Sequence, residues 1–331
     1  MGRVMTQHVS QAPQLDSNGL RQALRIAGGC TIGFTLCKLM NWPNGIFFTV
    51  YPMLLLGLVP SINKGVIRQF VASAAYSAFI VLILQGLFSH LPVLMTLIIF
   101  ASFCVLFYLM SSGGAFLFGA LGAVSLSIQL HFASHVDQAS SIYPLILSNG
   151  VAIFITIIIA LLMHGLFPDV TARPMRAVPH KDKESIRHEV LLCATVATLS
   201  FVVFQVLDLQ DSISAQAASI LILFSLCFKA AGTASWQRII GTLIGCNAAL
   251  VAQLFLYNHT DVLLFPVAIL WILSFIFSRF HILGGGPPGV GFGVLTTFGI
   301  LFGQSLGPGQ DLIYSAMYRF SSVAVAVTVS L

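Results

Sequence analysis

LPVLMTLIIFASFCVLFYL, residues 91–109, runs for nineteen residues without one charged side chain. At 1.5 Å per residue such a helix is about 28 Å long, enough to cross the roughly 30 Å hydrocarbon core of a bilayer. The pattern recurs in both directions from it. Apolar runs separated by polar or Gly/Pro breaks lie at 21–40, 45–60, 66–87, 91–109, 113–131 and 142–167, and again at 189–207, 212–230, 236–257, 261–278, 289–305 and 312–331. Over 331 residues the chain is 57% hydrophobic and only 8% charged, with a mean hydropathy of +0.96. A soluble domain carries about 25% charge to keep its surface wet, so a soluble protein is excluded. The alternating ten-residue strands of an outer-membrane barrel are absent from the sequence. The expected fold is all-α: a polytopic helical membrane protein of about twelve transmembrane helices.

The charges orient it. With the N-terminus cytoplasmic, Arg3, Arg21 and Arg25 precede span one, and Lys64 and Arg68 flank the second connection. Arg173, Arg176, Lys181, Lys183 and Arg187 fill the central polar segment, and Lys229, Arg238 and Arg279 fall on the same side. Thirteen of fifteen basic residues then face the cytosol, all but Lys38 and Arg319. This asymmetry is the positive-inside pattern. The expected organisation is a cytosolic tail over 1–20, a six-helix unit over 21–167, a cytosolic linker over 168–188 and a second six-helix unit over 189–331. No cleavable leader is expected, because the first twenty residues are polar. The net charge of +5 is accounted for by these loops, and no nucleic-acid partner is expected. Six cysteines, none in a CxxC pair, read as small buried hydrophobes.

The two units echo each other in order. Arg68 and Arg238 open spans three and nine, and Gln85 and Gln253 recur near the ends of those spans. Ser111-Ser112-Gly113-Gly114 matches Gly284-Gly285-Gly286-Pro287-Pro288-Gly289. Gln129 then Asp137 correspond to Gln304 then Asp311, and Tyr143 to Tyr314. An ordered series at nearly constant offset indicates a duplicated six-helix unit, and because six is even the two repeats are parallel.

No catalytic pattern stands out. A GxxxxGK[ST] loop, HExxH and GxSxG are lacking, and GVGFG at 289–293 has neither the preceding strand nor the acidic ribose partner of a dinucleotide site. His131, His135 and Asp137 can be drawn as a metal site, but a polar helix end facing water explains them equally well. No enzyme activity, cofactor or metal is expected.

Transport is better supported. Gly-interrupted helices at equivalent places in two halves mark a substrate site, because helix N-termini present free N–H groups and about half a positive charge to an anion. Glycines spaced GxxxG, as at Gly29/Gly33, Gly241/Gly245 and Gly299/Gly303, read instead as close helix packing. Arg319 lies about seven residues into span twelve, roughly 10 Å from the outer boundary. An arginine at the membrane centre costs about 2.5–3.5 kcal/mol, so it is rarely left facing lipid. It either binds an anion inside the bundle, snorkels outward, or pairs with Asp137 or Asp208. The expected anion site comprises Arg319, Asn149, Gln129, Gln304, Gly113, Gly114, Gly284, Gly285 and Gly286. No carboxylate sits mid-membrane, so proton coupling would fall to Asp137, Asp208, Asp211 or Asp311 near the outer mouth.

Two six-helix units, basic starts to spans one and three of each (Arg21/Arg25 and Arg68; Arg187 and Arg238), and the stretch SWQRIIGTLIG from Ser235 to Gly245 carry a family likeness. Over roughly 21–331 the chain resembles the fusaric acid resistance and aromatic acid exporter superfamily, in particular a short bacterial branch. The resemblance implies an inner-membrane efflux protein for aromatic carboxylic acids working with a periplasmic membrane-fusion adaptor; the expected assembly is a homodimer. Plant anion channels related to malate transport share a similar unit, so a passive anion channel is the alternative, and a non-transporting scaffold a third. The larger exporters carry a sizeable cytosolic domain after each unit; here only the short polar segment 168–188 follows the first unit.

Overall fold

A computed structural model describes residues 15–134, 142–171, 182–207, 220, 223, 231–256, 262–284 and 289–304. Among them there are ten helices and no strand: α1 Ser17–Leu39, α2 Gly45–Leu58, α3 Lys64–Leu87, α4 Pro92–Ser111, α5 Phe116–Ser134, α6 Tyr143–Leu166, α7 Lys183–Val206, α8 Ala231–Leu256, α9 Leu264–Leu283 and α10 Val290–Gln304. Six of them, α3, α4, α5, α6, α7 and α9, are long and apolar enough to cross a membrane. The expected spans over 212–230 and 312–331 lie outside the described residues, apart from 220 and 223.

Local chemistry sets the helix starts. Asp16 precedes α1 and its carboxylate accepts the Gly19 N–H at 2.7 Å; Asn63 does the same for Val66 at 2.9 Å before α3. Pro92 opens α4, where a missing N–H costs nothing. Helix α7 begins six residues before the expected span at 189, because Lys183 to Glu189 are good helix formers that extend it beyond the apolar stretch. Between α1 and α2 the chain reverses through Asn41 (φ 50°) and Asn44 (φ 57°), left-handed positions that asparagine tolerates.

Helix α2 occupies the centre. Its fourteen residues are apolar all round and buried from Ile46 to Gly57, yet at about 21 Å it is shorter than the hydrocarbon core. It packs on α1, α6 and α10. Pro52 inside α2 has no N–H, so the Phe48 carbonyl four residues earlier lacks its helical donor. Against that carbonyl comes Gly33 of α1, so close that any Cβ there would strike the oxygen. The other GxxxG pairs also sit at helix contacts: Gly241 and Gly245 of α8 face Val290 and Val294 of α10, and Gly299 and Gly303 face Met53 and Ile46 of α2. In lipid, where burial of apolar surface gains little, close approach of backbones supplies much of the adhesion.

Around α2 the pairings recur. Helix α3 packs on α5 as α8 packs on α10, α4 on α5 as α9 on α10, and α1 on α9 as α7 on α4. The two helices at the middle of these sets, α5 and α10, are buried on nearly every side.

The described basic residues Arg21, Arg25, Lys64, Arg68, Lys183, Arg187 and Arg279 all lie at one end of the bundle, hereafter the basic end; Lys38 lies at the other. Contacts tie this end together. Arg25, only 1% exposed, pairs with Asp169 just beyond α6 at 2.7 Å. Asn18 donates to the Thr171 carbonyl at 3.0 Å and accepts the Val170 N–H at 2.7 Å, while Arg21 donates to the Pro168 carbonyl. The start of the expected linker is therefore strapped onto α1. The sequence marks Arg25 only as a loop-side charge; the structure buries it.

Candidate functional site

The expected anion site draws residues from many places, and the structure brings two of them together. Gln129 on α5 and Asn149 on α6 belong to one buried network, joined through two hydroxyls that sequence reasoning passed over. Tyr51 of α2 donates to Asn149 Oδ1 at 2.5 Å. Its single proton being engaged there, Tyr51 Oη accepts from the Ser125 hydroxyl at 3.2 Å. Ser125 Oγ in turn accepts from Gln129 Nε2 at 2.9 Å. The bonds thus run in one direction, from Gln129 through Ser125 and Tyr51 to Asn149.

Geometry explains the assembly. Ser125 and Gln129 are four apart on α5 and so share a face. Tyr51 sits halfway along the short central helix, where its phenol reaches both α5 and α6. Aromatic rings enclose it: Phe70 of α3 stands edge-on at 5.9 Å, and Phe47 lies 5.4 Å away with Phe132 beyond. All four network residues are buried and Gln129 has no exposed surface at all. The network is uncharged. Its acceptor Gln129 Oε1 has no hydrogen-bond partner among the described residues. A buried acceptor without a donor costs about 1–3 kcal/mol, so this oxygen is poised for a hydroxyl, an N–H or a water.

The other expected residues fall elsewhere. Gly113 (φ 74°) and Gly114 form the turn between α4 and α5 at the basic end, and Gly284 follows α9 at that same end. Thirteen residues of α5 separate Phe116 from Gln129, roughly 20 Å of rise, so those turns and the network occupy different depths. Gln304 ends α10, where its neighbour Gly303 abuts Gly45 and Ile46 at the start of α2. Arg319, Gly285, Gly286, Asp137, Asp208, Asp211 and Asp311 lie outside the described residues. Among the described residues no group of three His, Cys, Asp or Glu could hold a metal.

Tyr51 and Ser125 left faint signals. Tyr51 is the one hydroxyl-bearing aromatic in a helix whose only other polar side chain is Thr49, and it stands beside a proline. Ser125 is one turn from Gln129. A reading that counted only amides and charges as polar missed both.

Residues 198–331 match the family model described as fusaric acid resistance protein-like, and residues 22–163 match a family described as a protein of unknown function (DUF2955). No curated protein and no solved structure matches the chain. The matches are consistent with a fusaric acid resistance-like membrane family and suggest a membrane transporter-type function.

Proposed function

We propose that this fusaric acid resistance-like chain is a multi-pass inner-membrane permease that exports small amphipathic aromatic anions. The observation that carries the proposal is the buried network of Tyr51, Ser125, Gln129 and Asn149, with its open acceptor on α5. Polar groups inside a membrane bundle are costly and mark substrate pathways. In this reading the network receives a neutral hydrogen-bonding part of the substrate, and Arg319 its carboxylate.

Twelve spans in two parallel six-helix repeats belong to the same proposal, over 21–167 and 189–331. Support comes from the recurring helix pairs, above all α1 with α9 and α7 with α4, each joining the first helix of one unit to the fourth of the other. The clustered basic residues favour a cytoplasmic N-terminus. A homodimer working with a periplasmic adaptor completes the scheme. The test is export of 4-hydroxybenzoate, whose phenol can donate to Gln129 Oε1, from cells producing Arg319→Ala or Gln129→Leu at wild-type membrane levels. Loss of export supports the roles given to both residues, and unchanged export in both removes them.

A passive anion channel is the second reading. What favours it is the position of the described acidic residues: Asp16, Asp169, Asp182, Glu184 and Glu189 all lie at the basic end, away from mid-membrane. Liposomes distinguish the two. Uphill movement driven by a pH gradient requires a coupled exporter, whereas a purely downhill anion current requires a channel.

A further inference from the structure

At the end of the bundle opposite the basic end, a cavity of about 160 Å³ lies between the α1–α2 turn and the start of α6. One wall is the indole of Trp42 stacked on Phe48, centroids 5.1 Å apart and 23° from parallel. Pro43 and Pro144 form rigid sides, with Val151 of α6 also lining it. Leu147, 69% exposed, marks where it opens outward. Ser148 is the one polar side chain of the lining, and its hydroxyl is already engaged, donating to the Pro43 carbonyl at 2.8 Å. Its proton being engaged, Ser148 offers a guest at most an acceptor, and the surface facing the cavity is almost wholly apolar. The cavity offers apolar volume and a flat aromatic face.

Volume and shape select the guest. An enclosed apolar cavity of roughly 150 Å³ takes up a benzene ring, and at about 160 Å³ this outward-opening one has room for one six-membered ring. Two prolines and a stacked aromatic pair give walls that cannot slide to follow a flexible chain, and offset stacking on Trp42 and Phe48 rewards a planar one. The two helices that wall the cavity also carry part of the polar network. Phe48 is three residues before Tyr51 on α2, and Ser148 immediately precedes Asn149 on α6.

We propose that this cavity is a docking site for the ring of a monocyclic aromatic compound, a vestibule at the far end of the buried network. The inference rests on the transport reading for the ring's origin, but a binding measurement tests it separately. Trp42 is the reporter. The chain has three tryptophans, so the full-length protein with Trp236→Phe and Trp271→Phe, in nanodiscs of saturated phosphatidylcholine, leaves Trp42 alone. Titration with 4-iodobenzoate should quench its emission saturably, and excess benzoate should restore it. Val151→Phe, which fills the cavity, should weaken the saturable quenching at least ten-fold while Trp42 emission stays at an apolar wavelength. Quenching that rises linearly and resists benzoate overturns the proposal, with or without the Val151 variant. So does quenching of Trp42 by chain-brominated lipid that 4-iodobenzoate cannot displace, which would make the cavity a lipid site. Saturable binding without 4-hydroxybenzoate export would sink the transport reading and leave the ring site standing.

Discussion

Tyr51 on α2 donates its phenolic proton to Asn149 on α6 at 2.5 Å, across 98 positions of sequence. This bond, with Ser125 behind it, joins three helices at a buried point. Its loss therefore has measurable consequences.

Tyr51→Phe keeps the ring against Phe70 and Phe47 but deprives Asn149 Oδ1 of its donor and Ser125 of its acceptor. Thermal unfolding in detergent should show a destabilisation of about 1–3 kcal/mol. Asn149→Leu should cost a similar amount, and the double variant much less than the sum, because both remove one interaction. Strictly additive losses would mean the two side chains do not act as a pair.

Arg25 is buried against Asp169. Taking away one member of a buried pair costs about 3–5 kcal/mol, whereas replacing both with apolar residues is often neutral. Asp169→Asn should therefore lower the yield of folded protein sharply. Arg25→Met with Asp169→Leu should recover much of it, as measured by monodisperse elution in detergent. A double variant no better than Asp169→Asn would show that Arg25 has a second role.

Two glycines should respond with opposite sign. A Cβ at Gly33 meets the Phe48 carbonyl, while one at Gly150 meets nothing within 4 Å. Gly33→Ala should cost about 1–3 kcal/mol through overpacking. Gly150→Ala should raise stability by about 0.5–1 kcal/mol by removing backbone freedom from the unfolded chain. Equal melting shifts of the same sign would contradict the α1–α2 contact.

Gln129→Leu removes the unpartnered acceptor together with the donor to Ser125. If the oxygen meets substrate, export should fall at least ten-fold with little change in melting temperature. Gln129→Glu, which keeps an acceptor at that place, should retain more export than Gln129→Leu for a substrate bearing a hydroxyl. A melting shift with export intact would assign Gln129 to packing alone.

Much of the bundle was readable along the chain. The apolar helices, the paired glycines and the basic end follow from local composition, since each depends on one helix meeting lipid, a neighbour or a headgroup. Positions were read less well where polarity and apolarity mix: α7 starts at Lys183 rather than at 189 because helical propensity continues where hydrophobicity stops. Gln129 and Asn149 were recognised singly, but the glycine turns grouped with them lie at another depth, Gly113 and Gly114 about 20 Å away along α5. Sequence spacing ranks residues along a helix and says nothing of which helix stands beside it.

Composition and periodicity alone therefore settled that this chain is helical, membrane-embedded and basic at one end, because those properties are sums over residues or repeats within one segment. The tertiary structure decided that the shortest helix lies at the centre, that Arg25 is buried, and that Tyr51 and Ser125 link the two amides. Each of these depends on side chains from separate helices meeting at hydrogen-bond or van der Waals distance, and only packing in three dimensions chooses those partners.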